Sequence, residues 1–248
     1  MEENKVDPHM WDRFDAVAVL CTTSQMHRQA GLKAELARVG LLDRVEWFWD
    51  FDNPFMVRLA NNLRLAPSIK SMGGFRMNMN HYRAVKTMLE LGKRHVLVLE
   101  NDVRFLRDTS ALADGIRAIP DDYDMAKFEW TGHPTRGVMR MPEITGPWYP
   151  LRGFDTYCTA AIAYSEKGLQ WRVNKLEECT DYSQLFATMH AVDVYDNAPS
   201  VAQLHAYVAS PMLAVQHWTG DGHNRQNAST YRLYGTHMAV GGVSAYAV

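Results

Sequence analysis

Cysteine is scarce: Cys21, Cys158 and Cys179 are the three in the chain, and they lie far apart. That spacing excludes a zinc ribbon and a paired redox motif, and it suits a reduced setting, so a cytoplasmic location is expected. Long apolar runs are missing too. No stretch approaches the ~20 residues that span a bilayer, and the start, Met1-Glu2-Glu3-Asn4-Lys5, is acidic and polar. A soluble protein is expected, with membrane contact limited to a peripheral surface. Neither sign of charge is in excess, since 26 Lys and Arg face 28 Asp and Glu for a net charge of −2. With the basic residues scattered, the electrostatic footprint of a nucleic-acid binder is absent. Internal repeats and low-complexity segments are absent as well, which excludes a solenoid and a disordered adaptor.

What remains is 248 residues, 47% of them hydrophobic, enough for a full core in one domain. Residues 1–13 are polar and without period and read as a flexible leader. The run Ala16 to Leu20 is continuously apolar, the pattern of a strand buried on both faces. Ala30, Leu32, Leu36 and Val39 then recur at helical spacing, Gly40 stops that helix, and Val45 to Trp49 reads as a second strand. Residues 50–74 are irregular, with at best a short helix over Leu59 to Leu65. A helix over Phe75 to Leu91 ends at Gly92, and His95 to Leu99 is another buried strand. A helix (Thr109 to Ile119), a strand (Asp124 to Trp130), a Gly/Pro-rich loop (Thr131 to Gly153), a strand (Thr156 to Tyr164) and a helix to Leu176 continue the alternation. A strand pair is expected around His205 to Val208 and Leu213 to Gln216, followed by a loop-rich end. The fold class is α/β: one domain over 14–248, with a mainly parallel central sheet flanked by helices.

The strand His95 to Leu99 runs straight into Glu100-Asn101-Asp102. Acids in that position emerge at the carboxyl end of a strand, where open α/β sheets bind ligands. Hard cations such as magnesium and manganese take oxygen ligands, typically one or two carboxylates plus substrate phosphates. A solvated loop is the plain alternative for the same residues.

Two runs give this pattern a family context: Gly74-Phe75-Arg76-Met77-Asn78-Met79-Asn80-His81 and Leu97-Val98-Leu99-Glu100-Asn101-Asp102-Val103. Over residues 14–217 the chain resembles glycosyltransferase family 25, the lipooligosaccharide galactosyltransferase-like group, in which a Gly-Cys-x-x-Ser-His-like helix start precedes a strand ending Leu-Glu-Asp-Asp-Val. Aligned on His81, the Gly, Cys and Ser are here Arg76, Met77 and Asn80, and Asn101 replaces the middle acid. Weaker echoes occur at Val19-Leu20-Cys21-Thr22-Thr23 with His27-Arg28, at Tyr157 to Ser165 with Lys167-Gly168, and at Ala191-Val192-Asp193.

The resemblance implies a GT-A-like fold and a hexosyltransferase that moves a sugar such as galactose or glucose from a UDP-sugar to a glycan acceptor, with inversion, as in lipopolysaccharide biosynthesis. It implies a metal, manganese or magnesium, at Asp102. His217, which follows a late strand, is the second expected ligand, and imidazole suits manganese better. Nucleotide-sugar contacts are expected from Cys21, Thr22, Thr23, Arg28, His81, Glu100 and Asn101, with Arg225 on the diphosphate. Residues 14–130 would then form the donor half and 131–248 the acceptor half, where Trp130, Trp148, Tyr149 and Tyr157 offer stacking faces. The base that takes the acceptor proton is expected at Asp193, or at Asp155. Two rivals stand beside this reading: a degenerate domain that binds without turnover, suggested by Asn101, and a metallo-hydrolase using His81, Asp102, His217 and His223.

Overall fold

The computed structural model describes residues 6–49, 72–106, 108–129, 147–151, 159–177, 201–210 and 212–216. The first strand, β1 (Ala16–Cys21), is buried along its whole length, as its unbroken apolar run requires. It is followed by a 3-10 turn (Thr23–Arg28), helix α1 (Gln29–Arg38) and strand β2 (Val45–Trp49). Helix α2 (Met72–Glu90) leads to β3 (His95–Glu100) and, after the two-residue turn Asn101-Asp102, to β4 (Val103–Phe105). Helix α3 (Thr109–Arg117), β5 (Met125–Lys127), β6 (Trp148–Pro150), β7 (Ala161–Ser165), α4 (Glu166–Glu177), β8 (Ala206–Ala209) and β9 (Ala214–Gln216) complete the order.

Seven strands form one sheet in the order β2-β1-β3-β7-β5-β8-β6. Strands β2, β1, β3, β5 and β8 run one way, while β7 and β6 run against them. The mixed α/β class with a mainly parallel sheet is therefore as expected, and β1 and β3 lie in its interior. Side chains alternate cleanly through the sheet. Val17, Val19, Leu97, Leu99, Ala161 and Ala163 face one core, which α1 and α3 cover with Leu32, Leu36, Leu112 and Ile116. Ala18, Leu20, Val96, Val98, Ile162 and Tyr164 face the other, beneath Val85 and Met88 of α2 and Leu169 and Trp171 of α4. Each fully buried large aliphatic side chain contributes about 1.5–3 kcal/mol, so these two layers fix the sheet on which the site stands.

The chain punctuates its elements as the sequence suggests. Gly40 and Gly92 take φ of 73° and 68°, the left-handed region open to glycine at little cost. Each closes its helix: Leu41 N–H donates to the Leu36 carbonyl at 2.8 Å, and Lys93 N–H donates to that of Met88 at 3.0 Å. Asp108 caps α3 by accepting from the main chain of Ser110 and Ala111. Among the described residues no helix is long and apolar enough to cross a membrane.

Four expectations are corrected. The supposed leader is structured from Val6 onward: Met10 and Trp11 are 2% exposed, and the Trp11 indole N–H donates to the Val39 carbonyl at 2.7 Å. Single turns anchored by two bulky apolar residues leave no periodic signal. Strand β5 spans three residues, Met125–Lys127, and Trp148–Pro150, inside the expected loop, pairs with β8. The two late strands do not pair with each other. Strand β8 lies between β5 and β6, whereas β9 pairs antiparallel with β4 in a separate two-stranded sheet. Most of the irregular stretch 50–74, including Leu59 to Leu65, lies outside the described residues, as do the last thirty.

Gly168, near the start of α4, sits so close to β5 that a methyl group built on it would overlap the main-chain oxygen of Asp124. Backbone cannot yield as a flexible side chain does. Gly168→Ala is expected to destabilise the fold by at least about 1–3 kcal/mol, the usual cost of overpacking, and urea unfolding midpoints compared with the parent protein check it. An unchanged midpoint would mean that α4 docks elsewhere.

Candidate active site

Parallel β1 and β3 end side by side, with Leu20 opposite Glu100, so the segments after them meet at one edge of the sheet. Two carboxylates sit there: Glu100 is 7% exposed and Asp102 5%. Ions taken that far out of water are costly, on the order of several kcal/mol each, unless neighbours replace the lost hydration. Around Glu100 those neighbours are His81 from α2, whose Nε2 lies 3.2 Å from Oε1, and the Thr159 hydroxyl, which donates to the same oxygen. Burial opposes the charge on Glu100. The hydrogen bond and charge of His81, the Thr159 hydroxyl and the Arg28 charge together outweigh it and hold the carboxyl below its usual range.

Asp102 has a different environment. Arg28 Nη1 donates to its Oδ2 at 2.9 Å, and Gln216 Nε2 donates to the same oxygen at 3.1 Å. The other oxygen, Oδ1, is buried and accepts no hydrogen bond among the described residues. Burial first, and the Glu100 charge second, push the Asp102 carboxyl up to about 7, with Arg28 and Gln216 opposing the shift. A buried oxygen of this kind, with no donor, fits a ligand that brings positive charge or an N–H.

The turn after β1 forms the adjoining wall. Thr22 is buried, and its Oγ1 donates to Gln25 Oε1 at 2.9 Å. Asn101 Nδ2 donates to that same oxygen at 2.9 Å, which ties the two loops together. Asn80 Nδ2 donates to the main-chain oxygens of Cys21 at 3.0 Å and Phe48 at 2.8 Å, so α2 is fastened to the ends of β1 and β2.

Among the expected nucleotide contacts, Thr22, Arg28, Glu100 and Asn101 thus come together at one edge with Asp102, the expected metal ligand, and Thr23 opens the turn that carries Arg28. Two others are buried behind the edge. Cys21 is 2% exposed and packs in the hydrophobic core. His81 is fully buried against Glu100, where it supports a carboxylate rather than facing a ligand. Trp148 belongs to the core, its indole N–H donating to the Gly115 carbonyl at 2.8 Å. His205 stands beside Asp122 at the start of β8, away from this edge. Asp155, Asp193, His217, His223, Arg225, Trp130 and Tyr157 lie outside the described residues. No cluster of three His, Cys, Asp or Glu side chains suited to a metal occurs among the described residues.

The sequence reading missed Gln25, Asn80, Thr159, Gln216 and Glu129, whose Oε1 accepts the Gln216 main-chain N–H at 2.8 Å. Asn80 and Thr159 carried a detectable signal, since each lies in a run already singled out. Gln216 and Glu129 gave none, because their role depends on β9 pairing with β4.

The Asp102 shift has a signed consequence. Its folded value of about 7 exceeds the ordinary 3.8, so the folded state holds an extra proton between those values. This contribution to stability is complete below about pH 4 and is lost as pH rises to about 7. In chelator-treated protein, Asp102→Asn should therefore gain stability relative to the parent protein on going from pH 4 to pH 7, by on the order of a few kcal/mol. Chemical denaturation across that range measures it, and a pH-independent difference would refute the shift.

No protein-family model matches the chain, and no curated protein does so. Three solved structures are similar in chain course. A glycosyltransferase involved in glycosylation of the major capsid of PBCV-1 is 9% identical, over 88% of this chain and 99% of that one, with a TM-score of 0.45. Mannose-1-phosphate geranyltransferase from Thermus thermophilus is 12% identical, over 78% and 72%, with a TM-score of 0.34. Mouse xyloside xylosyltransferase 1 in its apo form is 10% identical, over 73% and 80%, with a TM-score of 0.33.

Proposed function

We propose that the protein is a glycosyltransferase that moves a hexose from a uridine diphosphate sugar to a hydroxyl group of a glycan acceptor, with a divalent cation held at Asp102. The observation that carries this reading is the Oδ1 of Asp102, buried and without a donor among the described residues, at the carboxyl edge of parallel strands. A hard oxygen of this type, with Glu100 close behind it, fits magnesium or manganese, whose remaining positions substrate phosphates and water would fill. Bound there, the cation would neutralise charge developing on the departing diphosphate.

The chain's own groups supply the rest. Arg28, 9% exposed at its side chain and against Asp102, is close enough to offer its guanidinium fork to a phosphate oxygen. The linked loops at Thr22, Gln25 and Asn101 form the floor on which a nucleoside would lie. In the transfer, the sugar C1–O bond to the diphosphate breaks and a bond from C1 to the acceptor oxygen forms. A carboxylate takes the acceptor proton. Asp193 is the first choice for that base and Asp155 the second, and attack from the face opposite the diphosphate inverts the anomeric carbon.

A second reading, binding of a sugar nucleotide without turnover, draws support from the Arg28 contact to Asp102 and from the amide at Asn101. The two readings separate on hydrolysis of a UDP-sugar with manganese and no acceptor, which the transferase shows and the binder does not. Asp102→Asn should lower that rate on the order of a hundredfold to a thousandfold, roughly 3 to 4 kcal/mol of barrier, while leaving the fold intact. Asn101→Asp should leave manganese affinity unchanged or tighten it. Full hydrolysis by folded Asp102→Asn protein would remove Asp102 from the chemistry.

A further inference from the structure

We infer that Gln216 is the positioning residue of Asp102, the side chain that decides which carboxylate oxygen meets the ligand; this rests on the reading of Asp102 given above. A carboxyl group on its methylene turns readily, because the torsion next to an sp² centre is broad and two-fold. Left alone, Asp102 would present its two oxygens interchangeably. Here the two side-chain donors found among the described residues converge on one of them: Arg28 Nη1 at 2.9 Å and Gln216 Nε2 at 3.1 Å reach Oδ2. Oδ1 is left for the ligand.

Arg28 alone does not fix that choice, because its cation is attracted to either oxygen. Gln216 can, because its own placement is settled twice over. Its main-chain N–H donates to Oε1 of Glu129 at 2.8 Å, a carboxylate 1% exposed, two residues beyond the end of β5. In addition, β9 pairs with β4 so that Gln216 lies opposite Val103, the residue after Asp102. The amide therefore starts from a backbone anchored on both sides and donates to Oδ2 of Asp102. Partners that hold a metal ligand in place typically matter 10- to 100-fold in metal affinity or activity.

The test replaces the donor while keeping its volume. Gln216→Met retains the main-chain bond to Glu129 and the pairing with β4, so a purely structural role would show in thermal unfolding and not at the site. Manganese affinity, measured with UDP present by the resonance of free Mn²⁺, should fall about 10- to 100-fold in Gln216→Met at an unchanged melting temperature. Gln216→Asn, which withdraws the amide by one methylene, should move the same way and serves if the methionine variant does not fold. Parent-like manganese affinity in either folded variant overturns the assignment. Should the parent protein itself take up no manganese, the proposed metal chemistry fails separately. The Asp102 carboxyl ¹³C resonance then decides on Gln216: a shift in Gln216→Met sustains the positioning role, and an unmoved signal ends it.

Discussion

Everything at the working edge of this protein depends on keeping two carboxylates, Glu100 and Asp102, at the end of a strand that is apolar from Val96 to Leu99. Strand β3 is buried from Val96 onward, so its terminus emerges into a region that water scarcely reaches. The carboxylates are accommodated there because donors arrive from four places: His81 on α2, Thr159 ahead of β7, Arg28 in the turn after β1, and Gln216 at the end of β9. Removing the charged partner of Asp102, Arg28, would leave an uncompensated buried charge, which costs about 3–5 kcal/mol.

The two acids are not equivalent. Glu100 has its charge stabilised and is structural, a fixed negative point behind the site. Asp102 is held less firmly in its ionised form and, among the described residues, keeps one oxygen without a donor. Similar chemistry two positions apart is thus given two different electrostatic environments by surroundings alone. The partners span positions 28 to 216 in the sequence, so the arrangement exists only once both sheets have formed.

Much of the frame was legible in the sequence because it is written in local patterns. The unbroken runs Ala16 to Leu20 and His95 to Leu99 can be satisfied only with both faces covered, and Gly40 and Gly92 mark helix ends by a backbone conformation that other residues resist. Asp102 was legible for the same reason, as an acid following a buried strand. What escaped was written in pairings between distant segments. Three-residue strands such as β6 and β9 carry no period, and Met10 and Trp11 belong to the core through one turn and one indole hydrogen bond. That Cys21 and His81 are buried was not legible, because sequence shows which residues lie near the edge but not which way a side chain turns.

The reversed strand β7 changes what the edge can be built from. A parallel sheet offers its carboxyl edge only the segments that leave its strands, each already committed to crossing over to the next element. Because β7 runs against β3, with Leu99 opposite Ala161, the chain enters the sheet at that same edge, and Thr159 reaches Glu100 on the way in. One reversed neighbour thus gives the edge an arriving segment among departing ones. Insertions and exchanges ahead of β7 can reshape what faces the carboxylates without lengthening any crossover, a route to new specificity that a purely parallel sheet would lack.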